Sequence, residues 1–189
     1  MEMQNAVAIA VRIVDVLSLA SPALWAEAAV AESAPTAGSA PLKLSPSNRM
    51  LLDAGGKALE ANLALLKGDE VAAATLNQEA IALYDKILGQ EPENIKALKG
   101  RGLALAQQKP EAGKADFEQV IKLSDAAIAK NKNDAQAFYD RATAHRVMEN
   151  YAAARQDYQQ AIALKPDRSN WPLDLRAMEI EAKGHTGQK

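Results

Sequence analysis

Apolar residues recur along this chain at spacings of three and four, interrupted at intervals by Gly, Pro, Asn and Asp. Between Arg49 and Lys67 they fall at Met50, Leu51, Ala54, Ala58, Ala61, Leu65 and Leu66, a helical period with Gly55-Gly56 as its soft point. Gly68-Asp69 reads as a turn. Glu70 to Leu88 predicts a second helix with Ala80, Ile81, Tyr84, Ile87 and Leu88 on one face, ended by Pro92. Further helices are expected from Ile95 to the break at Lys109-Pro110, and from Ala115 to Lys130 ahead of the polar run 131–134. A helical pair is expected across 135–167. Ser169 or Asn170 caps a last helix, with Pro172 in its first turn and Leu173, Leu175, Met178 and Ile180 apolar until Gly184. The pattern is all-α.

The helical pair carries a finer signal. With Ala135 as position 1, Phe138, Ala142, His145, Tyr151, Ala154, Tyr158, Ala161 and Pro166 stand at positions 4, 8, 11, 17, 20, 24, 27 and 32 of a 34-residue frame. That arrangement resembles the tetratricopeptide repeat, a helix-turn-helix unit. Ala97, Leu98, Gly102 and Leu105 match positions 3, 4, 8 and 11 of a unit starting at Ile95. Ala80, Tyr84, Ile87 and Pro92 match the close of an earlier one. In that earlier unit Gly68-Asp69 and Pro92 are seven residues too far apart for the frame, an insertion of about two helical turns. The run SDAAIAK, ending at Lys130, is a similar extension of the second unit.

The resemblance implies a stack of three helical hairpins, 49–92 (degenerate), 93–134 and 135–168, in a right-handed α-solenoid. A capping helix at 169–184 with a polar outer face closes it, and 185–189 form a tail.

Ahead of the repeats, Ala6 to Leu19 is apolar except for Arg12 and Asp15, and Pro22 and the small-residue run Ala29-Val30-Ala31 follow. Residues 1–31 read as a secretory signal peptide, although the start lacks a positive region and charges interrupt the apolar core. An amphipathic helix with Arg12 and Asp15 paired across one turn, held near a membrane, and a plain extension are the alternatives. Residues 32–48, rich in Ala, Pro, Ser and Gly, read as a flexible linker. Export to a periplasm is the expected localisation, with a cytoplasmic or membrane-proximal site as the alternative.

Composition narrows the function. Hydrophobic residues make up 48% of the chain but aromatics only 4%, a balance that suits closely packed, alanine-rich helices. The formal charge of -2 comes without a basic block, so no nucleic-acid partner is expected. Cysteine is absent, which removes disulfides and thiolate sites. His145 and His185 are the two histidines, too few for convergent zinc ligation, and Gly55-Gly56-Lys57 lacks phosphate-loop spacing. No catalytic constellation, cofactor or small-molecule substrate is implied.

The resemblance places helix-A positions 2, 5, 9 and 12 on a concave groove. Its expected lining is Asn62 from the first unit, Lys96, Lys99 and Leu103 from the second, and Gln136, Tyr139, Thr143 and Arg146 from the third. A groove mixing aliphatic, aromatic and basic groups suits a peptide or helix of some acidic character. Certain members of the family hold chaperone C-termini through a clamp of lysines, asparagines and an arginine. Here Asn62 alone matches, while Gly100, Gln136 and Asp140 depart from it. Arg101 and Arg141, both at position 7, are expected to pair with Asp116 and Asp157 within their hairpins, and Trp171 to pack on the preceding repeat.

The function expected is that of a non-enzymatic adaptor or assembly factor for a protein or peptide partner. The alternative is a structural subunit, an oligomer associating through its convex face or extended helices. The export reading is checked by intact mass of the protein recovered from cells. A chain beginning at Glu32 is expected, and a chain retaining Met1 or Glu2 refutes cleavage.

Overall fold

The computed structural model describes residues 44–186, so the signal, most of the linker, and the tail beyond Thr186 lie outside the described residues. The described residues form seven α-helices and one short 3-10 turn, with no strand among them. The helices are α1 (Pro46–Leu66), α2 (Glu70–Gln90), α3 (Ile95–Gln108), α4 (Lys114–Lys130), α5 (Ala135–Val147), α6 (Tyr151–Leu164) and α7 (Trp171–Thr186), with the 3-10 turn at Pro110–Gly113.

Local chemistry explains the starts. The Ser45 hydroxyl accepts from the Asn48 amide at 3.1 Å and Pro46 occupies the first turn. Helix α1 therefore begins at Pro46, taking in residues assigned above to the linker, because serine before proline is both a cap and a preset backbone angle. Asp69, Asn94 and Asp134 repeat the device at α2, α3 and α5, accepting from Ala72, Ala97 and Ala137 at 3.0, 3.1 and 3.0 Å. Gly55-Gly56 does not break α1, where Ala54, Gly55 and Ala61 are buried. Packing against α2 supplies what glycine propensity lacks. The α1–α2 turn passes through Gly68 at φ 78°, and the α5–α6 turn through Glu149 at φ 60°. Both stand at position 15 of the repeat frame, where the backbone has to reverse. Helix α7 runs through Gly184 to Thr186, two residues past the expected end.

The chain divides into two compact units, one reaching to Ala104 and the other starting at Leu105, so the division falls inside α3. In the first unit α1 packs along α2, burying Leu51, Ala54 and Ala61 on one helix and Ala80, Ile81, Tyr84, Ile87 and Leu88 on the other. Asn77 donates from its side chain to the Ala104 carbonyl at 3.0 Å. Tyr84 lies so close to α3 that a Cβ on Gly100 would stand 2.3 Å from its ring carbon.

In the second unit α4 packs on α5, α5 on α6 and α6 on α7. Its core is Ala135, Tyr139, Ala142, Ala154, Tyr158, Ala161, Trp171 and Met178, with Phe138, Tyr151, Ile162, Leu164 and Leu175 packed around it. Alanine at 135, 142, 154 and 161 leaves the space that the three large rings fill.

Gly100→Ala is expected to destabilise the protein by about 1–3 kcal/mol, since a buried, rigid ring has to move to admit the methyl group. Chemical denaturation checks this, and the double variant Gly100→Ala/Tyr84→Leu should lose less than the two single changes added together.

Candidate functional site

One row of α5 organises the second unit. Tyr139, Thr143 and Arg146 follow at intervals of four and three, so they share a helix face. All three are at most 5% exposed. The Tyr139 hydroxyl donates to the Asp174 carboxylate at 2.8 Å, and its ring stacks on Trp171 with centroids 4.9 Å apart and planes 14° from parallel. Tyr158 meets the same ring edge-on at 5.6 Å. Thr143 turns its hydroxyl back on the Tyr139 carbonyl at 3.0 Å. Arg146 donates from Nε to Glu181 Oε2 at 2.8 Å and from a terminal nitrogen to Oε1.

The facing residues on α7 are therefore Trp171, Asp174 and Glu181, and the core residue Met178 falls on the same helical stripe. The sequence placed Tyr139, Thr143 and Arg146 on an open groove, and the structure buries all three: helix α7 covers Tyr139 and Arg146, and the Thr143 hydroxyl lies 3.5 Å from that of Tyr158 on α6. The cause is chemical complementarity. Tryptophan gains a large buried area on a tyrosine face, and Asp174 and Glu181 each meet a donor already on α5.

The other expected groove residues are scattered. Gln136, at the start of α5, is exposed and donates to Asp140 at 3.2 Å. In the first unit, Lys96 is exposed, Leu103 half-buried and Lys99 buried, all on α3. Asn62 is buried on α1 and its amide donates to the Ala58 carbonyl of its own helix at 2.8 Å. Lys96 and Gln136 are thus the expected polar groove residues that solvent reaches.

The arginines act as ties. Arg141 donates to Asp157 through Nε at 2.8 Å and through a terminal nitrogen at 2.7 Å, joining α5 to α6 as the sequence implied. Its other terminal nitrogen reaches Asp125 on α4 at 2.6 Å. Two carboxylates raise the arginine's already high pKa, the hydrogen bond it donates to Asp157 first among the causes. Arg101 reaches Asp85 on α2 at 2.7 Å. The sequence reading missed Asp85 and Asp125. Each lies 16 residues before its arginine, and that repeated spacing is the signal that would have found them.

His145 is half-buried, and burial, the leading cause, lowers its pKa from the usual imidazole value. Among the described residues no group of three His, Cys, Asp or Glu side chains is placed to hold a metal ion. Among them also, no helix is long and apolar enough to cross a membrane.

Residues 135–168 match the family model of the tetratricopeptide repeat. Solved structures similar to the chain include the first such domain of Spaghetti (RPAP3) bound to the HSP90 peptide SRMEEVD. That one is 21% identical, over 69% of this chain and 93% of that one, with a TM-score of 0.37. The first such domain of human RPAP3, solved by NMR, is 19% identical over 74% of this chain and 99% of that one, with a TM-score of 0.40. No curated protein sequence matches the chain.

The buried tyrosines set an alkaline limit on stability. Burial raises the pKa of Tyr84 and Tyr139, the latter helped by Asp174, and pushes Tyr158 up to about 12. An unfolded tyrosine loses its proton near pH ~10. Between about pH 10 and 12 the folded chain therefore holds more protons than the unfolded one, and stability falls with rising pH across that window. Tyr158 alone accounts for on the order of 2–3 kcal/mol. The melting temperature should stay level up to about pH 9.5 and then drop steeply, with tyrosinate absorbance rising together with the loss of helical circular dichroism. Titration of all the tyrosines near pH 10 in a protein that keeps its helices would refute the burial argument.

Proposed function

We propose that this protein is a non-enzymatic interaction module, an adaptor or assembly factor that holds a helix or peptide of acidic, amphipathic character. The observation that carries the reading is the occupancy of the α5 row. Tyr139 and Arg146 already receive such a helix, presenting Trp171, Asp174, Met178 and Glu181 at intervals of three, four and three. A face that accepts a ring and two carboxylates from one helix has the chemistry to recognise others of that pattern. The tetratricopeptide match over 135–168 supports the same class.

Because α7 fills the third-unit row, partner contact falls to the exposed polar positions on the starts of α3 and α5, Lys96 and Gln136. Lys96 supplies a cation for an acidic partner. The proposed setting is an exported protein acting in a periplasm, which follows from the reading of residues 1–31 as a signal.

Photo-crosslinking side chains placed at Lys96 and at Gln136 in living cells test this. Each should give a discrete protein adduct, while the same probe at Glu118 on α4 or Gln160 on α6, both exposed, should not. Equal labelling at all four positions, or none at the first two, would sink the proposal.

A further inference from the structure

Gln136, Tyr139, Thr143 and Arg146 follow at intervals of three, four and three, so they form one row along α5. Gln136 is exposed, and the next three are at most 5% exposed. Asp174 and Glu181, seven residues apart on α7, meet Tyr139 and Arg146, seven apart on α5, so the two helices run in the same direction. A partner helix that starts at Gln136 and follows the row therefore runs into Trp171, the first residue of α7, stacked on Tyr139.

The contacts that seat α7 belong to a pattern that another helix can carry. They come from the Trp171 ring, the Asp174 carboxylate three residues on, the apolar Met178 seven on and the Glu181 carboxylate ten on. A second helix with an aromatic, an acidic, an apolar and an acidic residue at those spacings remakes each of them, so exchange loses no pairing. Departure of α7 alone does lose them. It takes Glu181 from Arg146 and exposes Trp171 and Met178, both at most 1% exposed when seated. Helix α7 thus stays down until a helix of like pattern competes.

Its attachment suits such an exchange. The repeat match ends at residue 168, ahead of α7, and α7 continues from α6 through residues 165–170, of which Lys165, Pro166, Asp167 and Ser169 are exposed. On the side away from the row, Arg155 of α6 reaches Glu179 of α7 at 3.2 Å, and both side chains are partly open to water.

We propose that α7 is an autoinhibitory helix: it occupies the α5 row as a resident ligand, and an acidic partner helix of the same pattern gains the row by displacing it. This rests on the reading above that the protein holds an acidic, amphipathic helix. The resident is tethered, at an effective concentration on the order of millimolar, so an incoming helix competes only as far as it binds the row better than α7 does. A segment with one acid and not the other leaves α7 in place.

A fluorescent peptide of residues 169–184 is the probe, because it carries the resident pattern, and fluorescence anisotropy reads its binding to the full-length protein. Asp174→Ala and Glu181→Ala in the protein's own α7 each weaken the resident and leave α5 intact. Each should tighten peptide binding at least about tenfold over wild type, since the peptide restores the missing carboxylate. The chain has no cysteine, so Arg155→Cys/Glu179→Cys, added to Glu181→Ala, allows a bis-maleimide bridge that holds α7 on α6. Binding should be lost on bridging, and a peptide with alanine at 171, 174 and 181 should not bind. Circular dichroism verifies the fold of each variant. Equal affinity of wild type and both variants overturns the proposal, as does equal binding with and without the bridge, or binding of the alanine peptide. Loss of the fold in both variants overturns it too, since α7 would then be a part of the fold and not a removable occupant. Adducts at Lys96 and Gln136 in cells decide the partner reading separately, whatever the peptide does.

Discussion

A two-helix hairpin buries one face within itself and leaves the other dependent on a neighbour. Each element of the second unit follows from that dependence. Helix α5 sets Tyr139 and Arg146 between the Tyr158 ring of α6 and helix α7, which meets them with the Trp171 ring and the carboxylates of Asp174 and Glu181. Burying an arginine and a glutamate carries a desolvation cost that their mutual attraction only partly offsets. The Tyr139–Trp171 stack adds about 1 kcal/mol beyond its area. The polar pairs therefore contribute register more than raw stability: a slip of α7 by one turn would strand both carboxylates without donors.

The arginine ties carry the same logic between consecutive helices. Arg141 is held at once by the helix before it and the helix after it, through Asp125 and Asp157. Its counterpart Arg101 is held from behind by Asp85. These pairs are partly open to water and contribute little individually, so their role is to set the angle at which an alanine-lined helix approaches the next.

Much of this architecture is legible in the sequence, because turns, caps and the 34-residue spacing are local signals. Asp69, Asn94 and Asp134 cap where polar residues precede apolar periods, and Trp171 packs on the preceding repeat as its size implies. The candidate site is less legible. Arg146 looks like a solvent-facing residue until Glu181 is placed opposite it, and that partner lies beyond the frame, in a helix assigned only a capping role. A charged side chain is read as exposed unless its counterion is known. The opposite error occurs at Leu173 and Ile180, where apolar letters predict burial and the structure leaves them in water. Ser45-Pro46 starts α1 early because a strong local cap overrides a composition that otherwise reads as linker.

The seven residues by which α2 exceeds α6, and the run 124–130 that carries α4 past its match with the end of α6, have a geometrical corollary. An α-helix advances about 100° per residue, so seven residues fall only about 20° short of two full turns. Asp85 and Asp125 consequently keep their azimuth while the helix gains length, and both remain in reach of an arginine 16 residues on. One residue more would swing the carboxylate about a quarter of the way around the barrel of the helix, out of reach. Length in these helices thus comes in discrete steps. The paired charges act as a pawl on a ratchet, admitting insertions of a whole heptad and rejecting those between.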